Sequence, residues 1–119
     1  MINTKSEVFE AIKKVEQNVT DMWPDKVTSY PAICYIEEEN KVYEFTDDKE
    51  DKTYVRYRID IFNNASTSKL AIAIDTEISK LGLKRIQCQD VTDVSGIRHK
   101  CIRYEGIVDN VTEHVYKNN

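Results

Sequence analysis

A chain of 119 residues accommodates one domain with a modest hydrophobic core and excludes a second folded domain of ordinary size. Hydrophobic residues make up 40% of the chain and charged residues 32%, so we expect a folded, soluble protein rather than a disordered one. The net charge of −4 argues against sequence-specific nucleic-acid binding, because that affinity depends on Lys and Arg neutralising phosphates.

The amino terminus and the cysteines favour a protein that folds in the cytoplasm. Residues 1–5 lack the apolar core of a signal peptide, and no run approaches the length needed to cross a bilayer, so we expect no membrane partner. The three cysteines are widely spaced, odd in number and without a Cys-x-x-Cys unit: Cys34, Cys88 and Cys101. This pattern favours reduced, buried thiols over a disulfide framework or a zinc site.

The first segment predicts a helix over residues 4–19. Thr4 and Glu7 have the spacing of a capping box, in which each side chain satisfies a backbone donor at the start of a helix. Apolar residues then follow at helical spacing: Val8, Ile12, Val15 and Val19. We expect the helix to end at residues 22–24, because Pro24 cannot donate a backbone hydrogen bond and restricts the residue before it.

The next segment predicts a hairpin of two short strands, residues 32–36 and 42–45, joined by an acidic turn at residues 37–40. Residues 46–52 are almost wholly charged, which favours a solvated surface loop. The alternative is a mobile arm that becomes ordered against a neighbouring subunit.

The segment 54–62 predicts a strand with two different faces. Its apolar residues alternate with polar ones, so one face belongs to the core: Val55, Tyr57, Ile59 and Ile61. Arg56, Arg58 and Asp60 occupy the other face, which we expect to be exposed to water or to lie in an interface.

A second helix is predicted to begin at residues 66–68 and to end at Gly82, with one apolar face: Leu70, Ile74, Ile78 and Leu81. A hairpin follows, with residues 84–91 against 97–108 and Gly96 in the left-handed conformation. In that register Ile86 and Cys88 share the face of Ile102 and Tyr104. Cys88 and Cys101 then lie on opposite faces, so we predict no disulfide between them. The tail, 110–119, is either frayed or docked on a partner.

The order of these elements predicts a single α+β domain. Two helices pack on a mostly antiparallel, twisted sheet of about five strands, in the order α-β-β-β-α-β-β, with the core over about residues 4–109.

No group of residues predicts a catalytic, cofactor-binding or metal site, so we expect a protein that is not an enzyme. His99 and His114 lack ligands at a recognised metal-binding spacing. His99 and Cys101 share a strand face, which makes a nucleophile with its base conceivable. Two unreactive hairpin residues are favoured, because no oxyanion-stabilising loop accompanies them. The run 37–39 favours a solvated turn over a cation site, because adjacent strand residues alternate faces.

Several segments together resemble a known family. They are Tyr57-Arg58-Ile59-Asp60-Ile61-Phe62, the polar corner 66–68, the helix end Leu81-Gly82 and Ile102-Arg103-Tyr104-Glu105-Gly106. In this combination and order, they resemble the tail-completion (tail terminator) proteins of long-tailed bacteriophages and prophages. In that family, a strand of aromatic, Val or Ile and Asp residues leads into a helix, and a later strand carries an Arg-Tyr-like pair before a glycine.

This resemblance implies a small subunit of a ring, usually a hexamer, at the head-proximal end of the tail tube. The ring stops tube polymerisation and provides the surface that joins the head. The implied partners are other copies of the chain, the tail tube protein, a head-completion or neck protein and, in a contractile tail, the sheath protein. The implied location is a virion or a phage-tail-like bacteriocin particle, assembled in the bacterial cytoplasm, and the family has no catalytic residues or cofactors.

Two other functions stay open from the sequence. One is a head–tail connector or neck protein, because such proteins have similar sizes and compositions. The other is a cytoplasmic adaptor domain that binds a partner peptide through a sheet edge.

A closed ring needs two different complementary surfaces on each subunit, so we sought candidate interface residues. Three strand residues and five others are the candidates: Arg56, Arg58, Asp60, Asp47, Asp48, Glu50, Asp51 and Tyr116. If the four acidic residues of segment 47–51 line the lumen, they would repel DNA and let it slide.

Overall fold

The computed structural model describes residues 1–21, 29–92 and 95–112. It confirms the α+β class, with two helices and a five-stranded mixed sheet. The elements in chain order are α1 (Lys5–Lys13), β1 (Val19–Asp21), β2 (Ala32–Thr46), β3 (Lys49–Asn63), α2 (Ser68–Ser79), β4 (Lys84–Val91) and β5 (Arg98–Asp109).

The sheet has the strand order β1-β2-β3-β5-β4, in which β1 pairs with β2 in parallel and the other pairs are antiparallel. Both helices pack on one face of this sheet, called here the helix face. The central strand β3 contributes four fully buried side chains to that core, as its alternation predicts: Val55, Tyr57, Ile59 and Ile61. Val8 and Ile12 of α1 and Ile74 and Ile78 of α2 complete it from above.

The first helix is shorter than predicted. It ends at Lys13, where Gln17 donates a hydrogen bond from Nε2 to the backbone carbonyl of Lys13 at 2.9 Å. Val19 fits the apolar stripe by its spacing, but it begins β1 and pairs with Ile33, because a β-branched residue beside an existing strand gains more from sheet pairing. The predicted stop at residues 22–24 lies outside the described residues.

The predicted short hairpin and charged loop are both wrong. Strand β2 runs without a break from Ala32 to Thr46, and a β-bulge between Glu37 and Glu39 takes the place of the predicted turn. The chain reverses instead at Asp47 and Asp48, whose φ angles are 52° and 60°. Two successive left-handed residues form a tight hairpin turn, and Asp tolerates that conformation better than most residues. Most of the predicted loop is therefore the paired start of β3.

The second half of the chain follows the predictions more closely. Helix α2 begins at Ser68, and Gly82 and Gly96 have φ angles of 91° and 84°, both left-handed as expected. Residues 93–94 of the β4–β5 turn lie outside the described part of the chain. Cys88 pairs with Ile102 and Gln89 pairs with Cys101, so the two cysteines lie on opposite faces and are free, as predicted.

One detail of the predicted β4–β5 hairpin is wrong. Ile86 does not share the buried face of Tyr104, because a bulge between Arg85 and Gln87 leaves it unpaired and 42% exposed.

Candidate interface surfaces

The face of the sheet opposite the helices is built around a buried carboxylate. Asp60 is fully buried and is 2.9 Å from Arg58 Nε and 3.1 Å from Arg58 Nη2. His99 Nε2 lies 2.7 Å from the other side of this carboxylate, at Oδ1. The three side chains come from β3 and β5, which pair directly, so the cluster ties the two central strands together.

The sequence predicts that Asp60 faces water or an interface, and the first alternative is wrong, because the side chain is fully buried within its own chain. Its side chain is flanked by the apolar cluster of Ala32, Cys34 and Phe62, and the Phe62 ring stacks on His99 with ring centroids 4.2 Å apart. A residue that points away from the helices is therefore buried on the second face by its own neighbours. The bidentate guanidinium compensates the charge that burial would otherwise make costly.

A second ionic network crosses the same face. Glu38 Oε1 accepts hydrogen bonds from Arg56 Nε at 3.3 Å and from Arg103 Nε at 3.0 Å. Arg103 Nη1 also donates to Gln87 at 2.7 Å, so the network spans β2, β3, β5 and β4. Glu38 is the bulged residue of β2, and the bulge places its carboxylate within reach of both arginines.

Of the three strand residues predicted to form an interface, only two are accessible. The side chain of Arg56 is 34% exposed and that of Arg58 is 29% exposed, and both are held in ion pairs within the chain. A partner that binds this face therefore contacts charges that are mostly neutralised by ion pairs within the chain. Whether Arg56 and Arg58 contact a neighbouring subunit stays a prediction.

The two buried cysteines lie beside Asp60 on the neighbouring strands. Cys34 and Cys101 are its direct cross-strand partners. Burial, reinforced by the Asp60 charge, raises the pKa of Cys34 to about 12 and also raises the pKa of Cys101 above its usual value. His99 shares the face of Cys101, but its Nε2 is bonded to Asp60. A nucleophilic cysteine needs the opposite arrangement, a lowered pKa and access.

The distal part of the β2–β3 hairpin carries exposed apolar side chains that the sequence interpretation missed. This arm, residues 41–52, carries three exposed apolar side chains, Val42, Tyr43 and Phe45, with exposed fractions of 49%, 56% and 61%. Strand β1 pairs with β2 only as far as Tyr35, so none of the described strands pairs with the outer edge of β2 from residue 36 onward. Two successive aspartates, which tolerate the left-handed conformation of a tight turn, were the available signal for this turn.

The predicted acidic candidates lie on this arm, in different environments. Asp47 and Asp48 form the exposed turn. Glu50 is held within the chain, because its carboxylate accepts hydrogen bonds from the N-terminal ammonium of Met1 and the hydroxyl of Thr53. The ammonium bond is the main reason that the pKa of Glu50 is lowered.

Two further candidates complete the predicted set. Asp51 lies 3.6 Å from Lys52 Nζ and is partly exposed. Tyr116 lies outside the described residues. Whether any of these residues forms an interface stays a prediction.

The described residues contain no group of three or more His, Cys, Asp or Glu side chains arranged to hold a metal ion. None of the helices in residues 1–21, 29–92 and 95–112 is long and apolar enough to span a membrane.

The comparisons with known proteins give a structural neighbour. No family model matches the chain, and no curated protein matches its sequence. A chain from the solved structure "Virion of native gene transfer agent (GTA) particle" has a TM-score of 0.60 and 12% sequence identity. The match covers 90% of this chain and 95% of that one. The protein therefore shares its fold, over nearly its whole length, with a chain of a gene transfer agent virion.

Proposed function

We propose that this protein is a structural component of a phage-like particle, where it acts as a tail terminator. In this role, copies of the chain form a ring on the head-proximal end of the tail tube, stop its polymerisation and provide the surface that joins the head. The observation that carries the proposal is the near-complete fold match to a chain of a gene transfer agent virion. The resemblance of residues 57–62 and 102–106 to tail-completion proteins supports the finer assignment.

The chemistry of the described residues also fits a structural role without catalysis. The thiols of Cys34 and Cys101 have raised pKa values and low exposure, which disfavours the alternative of a Cys101 nucleophile. The side chains on the face opposite the helices form hydrogen bonds and ion pairs with one another. That face therefore holds its side chains in place rather than presenting a reactive group. Exposed apolar groups concentrate on the arm, as expected for a protein that meets other subunits.

A second candidate function is a partner-binding adaptor, and one observation favours it. The outer edge of β2 beyond Tyr35 has no pairing strand among those described, and such an edge can accept an extended peptide. A head–tail connector would share the same fold match, and the position of the ring in the particle distinguishes the two.

The test is an assembly experiment with the tail tube protein encoded by the same genome. We expect tubes assembled with this chain to stop growing, and a gold label on the chain to appear at one tube end only. The control is tube protein assembled without this chain, whose tubes should grow to no defined length. Unrestricted tube growth, or label along the whole tube, would contradict the proposal.

A further inference from the structure

An open groove lies between α2 and the β4–β5 pair. Its volume is about 290 Å³, and Ala71, Cys88 and Ile102 contribute apolar surface to it. Ile72 on its rim is 70% exposed, on a helix whose Ile74 and Ile78 are fully buried. Burying such a side chain contributes about 1.5–3 kcal/mol, so this rim favours an apolar occupant.

The arm of the same chain has the complementary apolar surface. Val42, Tyr43 and Phe45 all lie on β2 within four residues of one another, and each is about half exposed or more. Two further register shifts interrupt the pairing of this part of β2 with β3, one between Val42 and Glu44 and one between Glu44 and Phe45. This segment is therefore better suited to contact a partner through its side chains than to pair with an additional strand.

The arm cannot reach the groove of its own chain. Cys88 pairs with Ile102, and Ile102 pairs with Ile59, whereas Phe45 pairs with Glu50. These positions are nine residues apart along β3, which corresponds to about 30 Å at roughly 3.3 Å per residue. An arm that fills the groove must therefore come from another molecule, and the arm of a second copy has the required chemistry.

Charge favours the same pairing. The arm, residues 41–52, carries five Asp and Glu against three Lys, whereas residues 69–100 carry six Lys and Arg against four Asp and Glu. Arg85 and Lys100 line the groove, where each also contacts one carboxylate of its own chain, Asp75 at 3.2 Å and Asp90 at 3.0 Å. Attraction between an acidic arm and a basic groove side orients the two copies and speeds their encounter.

Resting on the function proposed above, we propose that the arm of one copy seats Tyr43 and Phe45 in the α2–β4 groove of the next copy. The donor and acceptor surfaces differ, so the contact is heterologous, and repeating it around a rotation axis closes a ring. The contact accounts for the exposure of Ile72 and of the arm side chains in a single copy.

The native Cys88 provides a direct test, because it is the exposed cysteine of the chain while Cys34 and Cys101 are buried. The variant Phe45→Cys, assembled alone and with tube protein, is treated with diamide and run on a denaturing gel without reductant. We expect disulfide-linked multimers up to the size of the ring. Tyr43→Cys serves as a second donor position.

Two controls accompany the test. Cys88→Ser combined with Phe45→Cys removes the acceptor thiol and should abolish the multimers. Ser6→Cys places an exposed thiol on α1, outside both the arm and the groove, and should give none. In addition, Phe45→Glu should weaken association at least tenfold while leaving thermal unfolding unchanged, because that side chain is 61% exposed.

The outcomes separate this inference from the function on which it rests. An assembly of normal mass in which neither donor position forms a disulfide with Cys88 would overturn the arm-in-groove contact and leave the proposed function standing. The absence of any assembly, alone or on tubes, would overturn both. A ladder that persists in the Cys88→Ser control would also contradict the contact.

Discussion

At the scale of single residues, Asp60 is the side chain whose environment departs most from its expected one. Its charge is buried and held between Arg58 and His99. Removing one partner from such a cluster leaves the others buried without compensation, and this costs more than the cluster itself contributes.

We therefore expect Asp60→Ala to lower the free energy of unfolding by about 3–5 kcal/mol, measured by urea denaturation. Asp90→Ala is the matched control, because its side chain is 81% exposed and its ion pair with Lys100 contributes about 1 kcal/mol or less. A loss for Asp60→Ala no larger than that of the control would show that the cluster does not stabilise the fold.

The Asp60 cluster was not accessible from the sequence. Alternation along β3 places Asp60 opposite Ile59 and Ile61, and that part of the prediction is right. Its hydrogen bond with His99 joins residues 39 apart, and only the β3–β5 register brings them together. Its burial depends on Phe62 and Cys34, which lie on two different strands.

At the scale of elements, the arm depends on its turn. Asp47 and Asp48 both have positive φ angles, which cost most L-residues roughly 1–2 kcal/mol and cost glycine little. The turn is therefore formed by residues that tolerate this conformation but do not prefer it as glycine does.

We expect Asp48→Gly to raise the free energy of unfolding by up to about 1 kcal/mol, and Asp48→Val to lower it by about 1–2 kcal/mol. Both variants remove the same carboxylate, so the difference between them reports the backbone conformation alone. Equal effects of the two substitutions in urea denaturation would mean that the turn does not hold a left-handed residue at position 48.

Elements with a strong local pattern were predictable, and those without one were not. The period of β3 and α2, and the glycines at 82 and 96, reflect physical requirements that act over a few residues. The continuity of β2 does not reflect such a local requirement. Residues 37–39 have the composition of a turn, and only pairing with β3 keeps them extended. Val19 likewise fits a helix by spacing and joins β1 through a neighbour distant in sequence.

Each helix is tied to the sheet by a buried tyrosine. The Tyr57 hydroxyl lies 2.7 Å from Thr4 Oγ1 at the start of α1, and Tyr104 donates to Asp75 of α2 at 2.9 Å. Burial raises the pKa of both phenols well above the usual value. In the unfolded chain they ionise near pH 10, so their contribution to stability is complete below that pH and is lost as the pH rises above it.

In the unmodified chain, the free energy of unfolding should fall as the pH rises from about 9 to 11, and this fall should be smaller in Tyr104→Phe. The measurement is urea denaturation at a series of alkaline pH values. A slope for Tyr104→Phe as steep as that of the unmodified chain would contradict the assigned environment.

At the scale of the whole molecule, the chain is elongated, with extents of 53, 28 and 23 Å. The helices pack on one face of the sheet, and the arm is the distal end of a hairpin of two 15-residue strands. The arm and residues 69–100 carry opposite net charge, so the arms of two copies repel each other, whereas the arm of one copy attracts the groove side of another. Such a molecule favours head-to-tail association over a symmetric dimer.

The central claim is that identical copies close into a ring, and the native mass of the assembly tests it most directly. Native mass spectrometry of the purified chain, alone and with tail tube protein, should give one discrete closed species, six copies by the family resemblance. A chain that stays monomeric under both conditions, or forms an open series of sizes without a preferred number, would contradict it.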